Sequence, residues 1–82
     1  MKRLNIDLAK IVLHELKRQP LSRTDLAKRT ITKSGSHAAF ESTFSLLVID
    51  GYVQKSSAKY RAKYVLTEKG AKLLEAFETN VP

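Results

Sequence analysis

The chain has 82 residues, enough for one domain with a small core and little room for a second. Fifteen Lys and Arg against eight Asp and Glu give a formal net charge of +7, which favours a polyanionic partner such as nucleic acid or an anionic membrane surface. The absence of Cys excludes disulfides, thiolate zinc sites and thiol nucleophiles, and no apolar run is long enough to span a membrane. We expect no signal peptide, because the first residues, MKRLNIDLAK, are charged and then amphipathic.

The first predicted helix spans residues 5–18, with Asn5 as its N-cap. Its apolar residues gather at helical spacing on one broad face, namely Ile6, Ala9, Val12, Leu13 and Leu16. Leu4 and Ile11 fall on the polar side of this helix, and Leu8 borders them. We therefore expect the helix to make a second buried contact, for example with another subunit.

A second, shorter helix is predicted over residues 22–30, with Ser22 as its N-cap. Leu21, directly before it, is predicted to pair with a later hairpin as a single strand residue. The segment TITKSG is predicted to form the turn that follows, with Gly35 as its flexible point.

The third helix is predicted over residues 35–50, with Ser34 or Ser36 as its cap. Its inward face is predicted to consist of Phe40, Thr43, Phe44 and Leu47. Gly51 follows the helix at the position where a left-handed residue is needed, so we expect it to end the helix there.

A β-hairpin is predicted over residues 52–66, because residues with high strand propensity flank the loop SSAKYRA. Its cations are Lys55, Lys59, Arg61 and Lys63, and no acidic residue lies between Tyr52 and Lys63. These charges, directly after the third helix, favour contact with phosphate over two other interpretations: a solvated hairpin made soluble by its charge, or an edge strand protected by lysines. The last predicted helix spans residues 68–78, with Thr67 as its cap.

Helix, short helix, helix, two-stranded hairpin and helix is the layout of the winged helix-turn-helix, and three segments resemble that family. LSRTDLAKRT resembles its second helix, and FESTFSLLVIDGYV is similar to its recognition helix. YVLTEKGAKLLEAF resembles the passage from wing to final helix in MarR-type and PadR-type regulators and in small archaeal and archaeal-virus DNA-binding proteins. The resemblance implies one mostly α, α+β domain over residues 1–82, with three helices, a two-stranded wing and a C-terminal helix.

The resemblance implies a small transcriptional regulator that binds double-stranded DNA, with the third helix in the major groove and the wing on the backbone or minor groove. The recognition-helix residues expected at the DNA are Ser34, Ser36, His37, Ala38, Ser42 and Ser45. The wing residues expected there are Lys55, Ser57, Lys59, Tyr60, Arg61 and Lys63. Arg23, Lys28 and Lys33 are expected to bind phosphate. We expect a cytoplasmic location, on the nucleoid or on host DNA.

The groove-facing side of the third helix differs from that of related regulators, which usually carries Arg or Lys. This side offers no bidentate contact to guanine, the commonest specific contact in the major groove. Serine hydroxyls can donate to or accept from a base edge, and the methyl group of Ala38 can contact a thymine methyl. Glu41 either accepts a hydrogen bond from a cytosine amino group or is repelled by phosphate.

Surplus apolar surface on the first and last helices predicts a homodimer. The residues of the predicted seam are Leu4, Leu8, Ile11, Leu73, Ala76 and Phe77. The sequence offers no nucleophile with a base, no paired carboxylates and no phosphate-binding glycine loop, and His14 and His37 stand on different helices. We therefore expect no enzymatic activity, no metal site and no cofactor.

Two other interpretations stay open. A winged helix can serve as a protein-docking module, which Glu41 and the uncharged face of the third helix favour and the basic wing opposes. An architectural DNA binder of low sequence preference would differ from a regulator only in specificity.

Overall fold

The computed structural model describes residues 5–33, 36–59 and 62–79. In chain order its elements are helix α1 (Ile6–Arg18), helix α2 (Arg23–Lys33), helix α3 (His37–Ile49), strand β1 (Val53–Lys55), strand β2 (Tyr64–Leu66) and helix α4 (Glu68–Thr79). The two strands pair as an antiparallel hairpin. The predicted fold class is confirmed: a mostly α, α+β chain with a two-stranded wing before a C-terminal helix.

Helix α1 begins at its predicted cap, where the Asn5 side chain accepts a hydrogen bond from the Leu8 backbone N–H at 3.1 Å. The buried face of the helix is centred near Val12 and includes both Leu8 and Glu15 at one edge. The prediction that Ile6 faces the core is wrong, because this residue lies outside the buried face and is 55% exposed.

Helix α2 begins after Ser22, which caps it as predicted, and runs beyond the predicted range of 22–30 to Lys33. The predicted turn TITKSG is therefore helical over TITK. The reason is burial: Thr30 is fully buried and Ile31 packs against the core, so tertiary contacts hold the helix through β-branched residues of modest helix propensity.

Helix α3 begins at His37, within the predicted range of 35–50, and Ser36 is its N-cap. Its buried residues are Phe40, Thr43, Phe44 and Leu47, as predicted. The rings of Phe40 and Phe44 stack with their centroids 5.4 Å apart, and both belong to the single core that α1 and α2 cover. This packing fixes which side of α3 is left for other contacts.

A Schellman motif ends α3, with Gly51 in the left-handed conformation at φ 82°. The Tyr52 backbone N–H donates to the Leu47 carbonyl at 2.9 Å, and the Gly51 N–H donates to the Val48 carbonyl at 3.1 Å. Glycine adopts this φ without a steric cost, and the turn directs the chain into β1, as predicted.

The wing is bound to the segment before α2. In the hairpin Val53 lies opposite Leu66, and Lys55 lies opposite Tyr64. The Tyr64 backbone N–H donates to the Leu21 carbonyl at 2.7 Å, and the Leu21 N–H donates back to the Tyr64 carbonyl at 3.2 Å. The predicted pairing of Leu21 with the hairpin is therefore confirmed, and β2 has a partner on each side.

The start of α4 is bonded to the end of α3. The Thr67 hydroxyl accepts the Gly70 N–H at 3.0 Å, which makes Thr67 the predicted cap, and it also donates to the Gly51 carbonyl at 2.7 Å. The Lys69 ammonium donates to the Asp50 carbonyl at 2.6 Å. These bonds join the two ends of the hairpin segment at one place.

Gly70 allows α4 to approach the chain that leaves α3. A Cβ at this position would lie 2.0 Å from the Tyr52 carbonyl oxygen and 2.7 Å from the Leu66 Cδ1 atom. No side chain fits there unless the backbone moves. Thr67, Lys69 and Gly70, all in the segment YVLTEKG, therefore hold the end of α3, the wing and the start of α4 together.

We predict that Gly70→Ala destabilises the fold by roughly 1–3 kcal/mol, because the new methyl group meets a backbone carbonyl that cannot move freely. In a helix without this contact, the same substitution would stabilise by about 1 kcal/mol through helix propensity. Urea denaturation followed by circular dichroism measures the difference. The control is Ala71→Gly at the next, exposed position, which should cost about 1 kcal/mol. A Gly70→Ala chain more stable than wild type would contradict the close approach.

Candidate nucleic-acid interface

The exposed side of α3 carries small or apolar side chains without charge. Ala38 and Ser45 are exposed, Ser42 is half-buried, and Ile49 is 77% exposed. These residues recur every three or four positions, so they lie along one side of the helix, opposite the buried phenylalanines. Helix α3 contains no Lys or Arg, so its hydroxyl and methyl groups are what it offers to another molecule.

The start of α3 contains two exposed residues that were predicted at the DNA, Ser36 and His37. Ser36 has a structural task as well, because its hydroxyl accepts the Ala39 backbone N–H at 3.2 Å. His37 lines a shallow groove between α2 and α3, together with Ile31. Ser34, also predicted at the DNA, lies outside the described residues.

An ion pair that the sequence pattern does not predict joins α2 to α3. One terminal nitrogen of the Arg23 guanidinium donates to both carboxylate oxygens of Glu41. The Arg23 Cζ atom also lies 5.9 Å from the centroid of the Phe44 ring. Arg23, predicted to bind phosphate, is thus held by a carboxylate from the helix predicted to enter the groove.

The base of the wing packs on the middle of α3. The Tyr64 ring on β2 meets the Phe44 ring edge to face, with centroids 4.8 Å apart and planes at 79°. Phe44 is buried between this tyrosine and Arg23. The first residue of α2, the middle of α3 and the base of the wing therefore meet around one aromatic ring.

The described part of the wing presents three lysines to solvent. Lys55 ends β1, Lys59 lies in the loop, and Lys63 directly precedes β2. The Lys63 carbonyl accepts the Ser56 N–H at 2.8 Å, so the strand pairing continues past β1 and keeps Lys55 and Lys63 near each other. Ser57 is exposed, and its hydroxyl accepts the Lys59 N–H at 3.3 Å. The predicted contacts Tyr60 and Arg61 lie outside the described residues.

The cations of α2 have different surroundings. Lys28 is exposed on the outer side of the helix, as its predicted role requires. Arg29 instead bonds the carboxylate of Glu15, which is buried on α1, at 3.3 Å. Arg18 lies 4.0 Å from the same carboxylate. The side chain of Lys33, the third predicted phosphate contact on this segment, lies outside the described residues.

The predicted dimer seam is only partly on the surface. Leu8 is 1% exposed, so it belongs to the interior of the chain and is not available for a seam. Leu8 borders both the core-facing stripe and the second apolar stripe of the helix, so helical spacing alone did not show whether it is buried in the core or exposed at a seam. Ala76 is exposed, while Ile11, Leu73 and Phe77 are half-buried. Leu4 lies outside the described residues.

Residues 5–33, 36–59 and 62–79 contain neither a cluster of metal-ligating side chains nor a helix suited to cross a membrane. No three His, Asp or Glu side chains of these residues come close enough together to hold a metal ion. None of the helices in the same ranges combines the length and the apolar character that crossing a bilayer requires.

Comparison with known proteins identifies a solved structure with a similar fold. No protein-family model matches the chain, and no curated protein sequence matches it. The fold is similar to the crystal structure of SSV1 F-93, a small archaeal-virus protein, with a TM-score of 0.65 and 25% sequence identity over 88% of this chain and 86% of that chain. The winged-helix-like fold and the predicted resemblance to small archaeal-virus winged-helix proteins agree with this similarity. The likeness to MarR-type and PadR-type regulators stays a prediction.

We predict that Ser36→Ala lowers the free energy of unfolding by about 1 kcal/mol, because α3 loses its N-cap. Ser36→Asp should retain most of the stability, since a carboxylate caps equally well. Ser45→Ala is the matched control: the residue is exposed in the middle of the helix, and alanine there should be neutral or slightly stabilising. Urea denaturation measures all three. Equal stabilities for Ser36→Ala and Ser45→Ala would contradict the capping role.

Proposed function

We propose that this chain binds double-stranded DNA as a small transcriptional regulator. In this proposal α3 enters the major groove, and the wing contacts the backbone or the adjacent minor groove. The chain is assigned a binding role and no catalytic one. The proposal rests on the resemblance of the sequence, on the winged-helix-like fold and on the distribution of charge.

The observation that carries the proposal is the attachment of a basic wing to an uncharged exposed helix. Tyr64 links the wing to Phe44 through its ring and to the start of α2 through two backbone hydrogen bonds. The described lysines of the wing therefore extend from a base that is fixed to the helix-turn-helix. A positively charged wing beside an exposed helix is the arrangement with which a winged helix binds a duplex.

Most of the affinity should come from phosphate contacts. The candidate contributors among the described side chains are Lys28 on α2 and Lys55, Lys59 and Lys63 on the wing. Each lysine that neutralises a phosphate releases condensed counterions, so the logarithm of the binding constant should fall with the logarithm of salt concentration by about 0.9 per contact.

Base recognition by α3 would rely on hydroxyl and methyl groups. Ser42 and Ser45 can donate to or accept from base edges, and Ala38 can contact a thymine methyl group. His37, exposed at the first turn, can donate at the groove edge. Since no side chain of α3 can bind guanine in the bidentate manner, we expect modest discrimination between sequences from this helix.

We further propose that the chain acts as a homodimer through α1 and α4, which pack against each other in the fold. Ile11, Leu73, Ala76 and Phe77 leave apolar surface on these helices, and Leu8 is not part of the proposed seam. A two-fold dimer would place two recognition helices about 34 Å apart, one helical turn of DNA, on a near-palindromic site.

A protein-docking module is the second candidate function. The observation that favours it is Ile49, whose large apolar side chain is 77% exposed on the side of α3 that carries no charge. A titration with a random duplex, with and without unlabelled competitor, separates the candidates. A regulator binds with salt dependence and retains a preferred site under competition, an architectural binder has no preferred site, and a docking module binds no duplex.

We predict that Lys59→Gln together with Lys63→Gln weakens binding to every duplex alike and makes the salt slope shallower by about 1.8, because two phosphate contacts are lost. Fluorescence anisotropy at several salt concentrations measures both effects. The matched control is Lys17→Gln with Lys72→Gln, which removes the same charge from α1 and α4. If both double variants bind DNA with the wild-type slope, the wing does not contact phosphate.

We predict that the wild-type chain has, at micromolar concentration, about twice the mass of one 9.2 kDa chain in light scattering. Ala76→Arg should give the monomer mass, because it places a charge in the apolar seam without disturbing a buried site. Ala38→Arg makes the same change on α3 and should leave the dimer intact. A monomer mass for the wild type would remove the dimer from the proposal.

A further inference from the structure

Arg23 and Glu41 form a pair that is both fixed and accessible. The guanidinium donates from one nitrogen to both carboxylate oxygens, and its carbon lies 5.9 Å from the centroid of the Phe44 ring. The side chains are 55% and 31% exposed, respectively, so another anion can reach the guanidinium from solvent. The pair therefore joins α2 to α3 on an open surface.

In the proposed complex, with α3 in the major groove, this pair between α3 and the start of α2 would lie beside the duplex. Arg23 is the first residue of α2, and the free N–H groups of a helix N-terminus suit a phosphate at that place. Glu41 is the one acidic residue in the α3 segment HAAFESTFSLLVI, which contains no Lys or Arg. The only carboxylate of α3 therefore pairs with Arg23, the cation at the start of the preceding helix.

We propose that Glu41 is a specificity-determining residue that withholds Arg23 from DNA phosphate, an inference that rests on the proposed DNA-binding function. A carboxylate and a phosphate compete for the same guanidinium, and the carboxylate is already in place on the same molecule. Occupation by Glu41 removes one contact that every duplex would offer equally. A larger share of the binding free energy then depends on the base edges that α3 reads.

Removal of Glu41 differs from removal of an unpaired surface charge, because Glu41 holds a cation. Removing the carboxylate does two things: it deletes a negative charge near the duplex, and it releases a cation at the start of α2. The first effect raises affinity without changing the number of phosphates neutralised, whereas the second adds a phosphate contact and steepens the salt dependence. The salt slope therefore separates the release of Arg23 from a general change of charge.

The experiment measures binding of a random-sequence duplex by four chains between about 50 and about 200 mM salt. The chains are wild type, Glu41→Gln, Arg23→Gln and the double variant. Glu41→Gln should bind roughly threefold more tightly at the lower salt concentration. Its slope should be steeper by about 0.9, so its affinity falls about 3.5-fold more than that of wild type across this range.

The two Arg23 variants test the cause of the steeper slope. Arg23→Gln in the wild-type background should keep the wild-type slope, because Arg23 makes no phosphate contact while Glu41 holds it. Arg23→Gln in the Glu41→Gln background should return the steeper slope to the wild-type value. Glu75→Gln on α4 is the matched control, since it removes an exposed carboxylate far along the chain from α3 and should leave the slope unchanged.

Three results would overturn the inference: an unchanged slope for Glu41→Gln, weaker binding by that variant at the lower salt concentration, or a slope that Arg23→Gln alone already makes shallower by about 0.9. Thermal melting checks that each chain is folded. If Glu41→Gln does not fold, Glu41→Ala serves in its place, because it also removes the carboxylate and releases Arg23 while alanine favours the helix, and the same steeper slope is expected. A wild-type chain that binds no duplex refutes the proposed function, whereas four equal slopes refute this inference alone.

Discussion

The absence of a side chain at Gly70 is the constraint on which the arrangement of the other elements depends. The Tyr52 carbonyl oxygen lies only 2.0 Å from the position that a Cβ of residue 70 would occupy. Because α4 can approach this closely, Thr67 and Lys69 reach the carbonyls at the end of α3. The exit from α3, the entry to the wing and the start of α4 are thereby fixed to one another, and the base of the wing can pack on Phe44.

The local features of this fold follow from short patterns in the sequence. Asn5, Ser22 and Thr67 are caps in the structure because a short polar side chain precedes a helical run at each of them. Gly51 adopts the left-handed conformation that its place after an apolar helix indicates. The buried face of α3 also follows from helical spacing alone. Periodicity predicted the end of α2 less accurately. Burial of Thr30 extends this helix through residues whose helix propensity is modest.

The candidate site was predictable in its elements and not in its charge pairs. The wing lysines and the uncharged side of α3 are visible in the sequence, because each depends on one short segment. The pairs Arg23–Glu41 and Arg29–Glu15 join residues of different helices, and helical spacing within one segment contains no information about them. The buried Glu15 could have been suspected from its place beside apolar residues of α1, yet its partner could not. Long-range pairing of this kind changes which cations remain available to a ligand.

The backbone bridge between Leu21 and Tyr64 has a consequence for the order in which the molecule matures. The start of α2 is bonded to a strand that lies far later in the chain, so a nascent polypeptide that ends after α3 lacks this partner. Such an intermediate contains the residues of the whole helix-turn-helix, but Leu21 and Phe44 have no tyrosine to cover them. Helix α3 would then reach its final packing only after the hairpin has emerged from the ribosome. Premature termination would yield a fragment with exposed aromatic surface rather than a smaller folded domain.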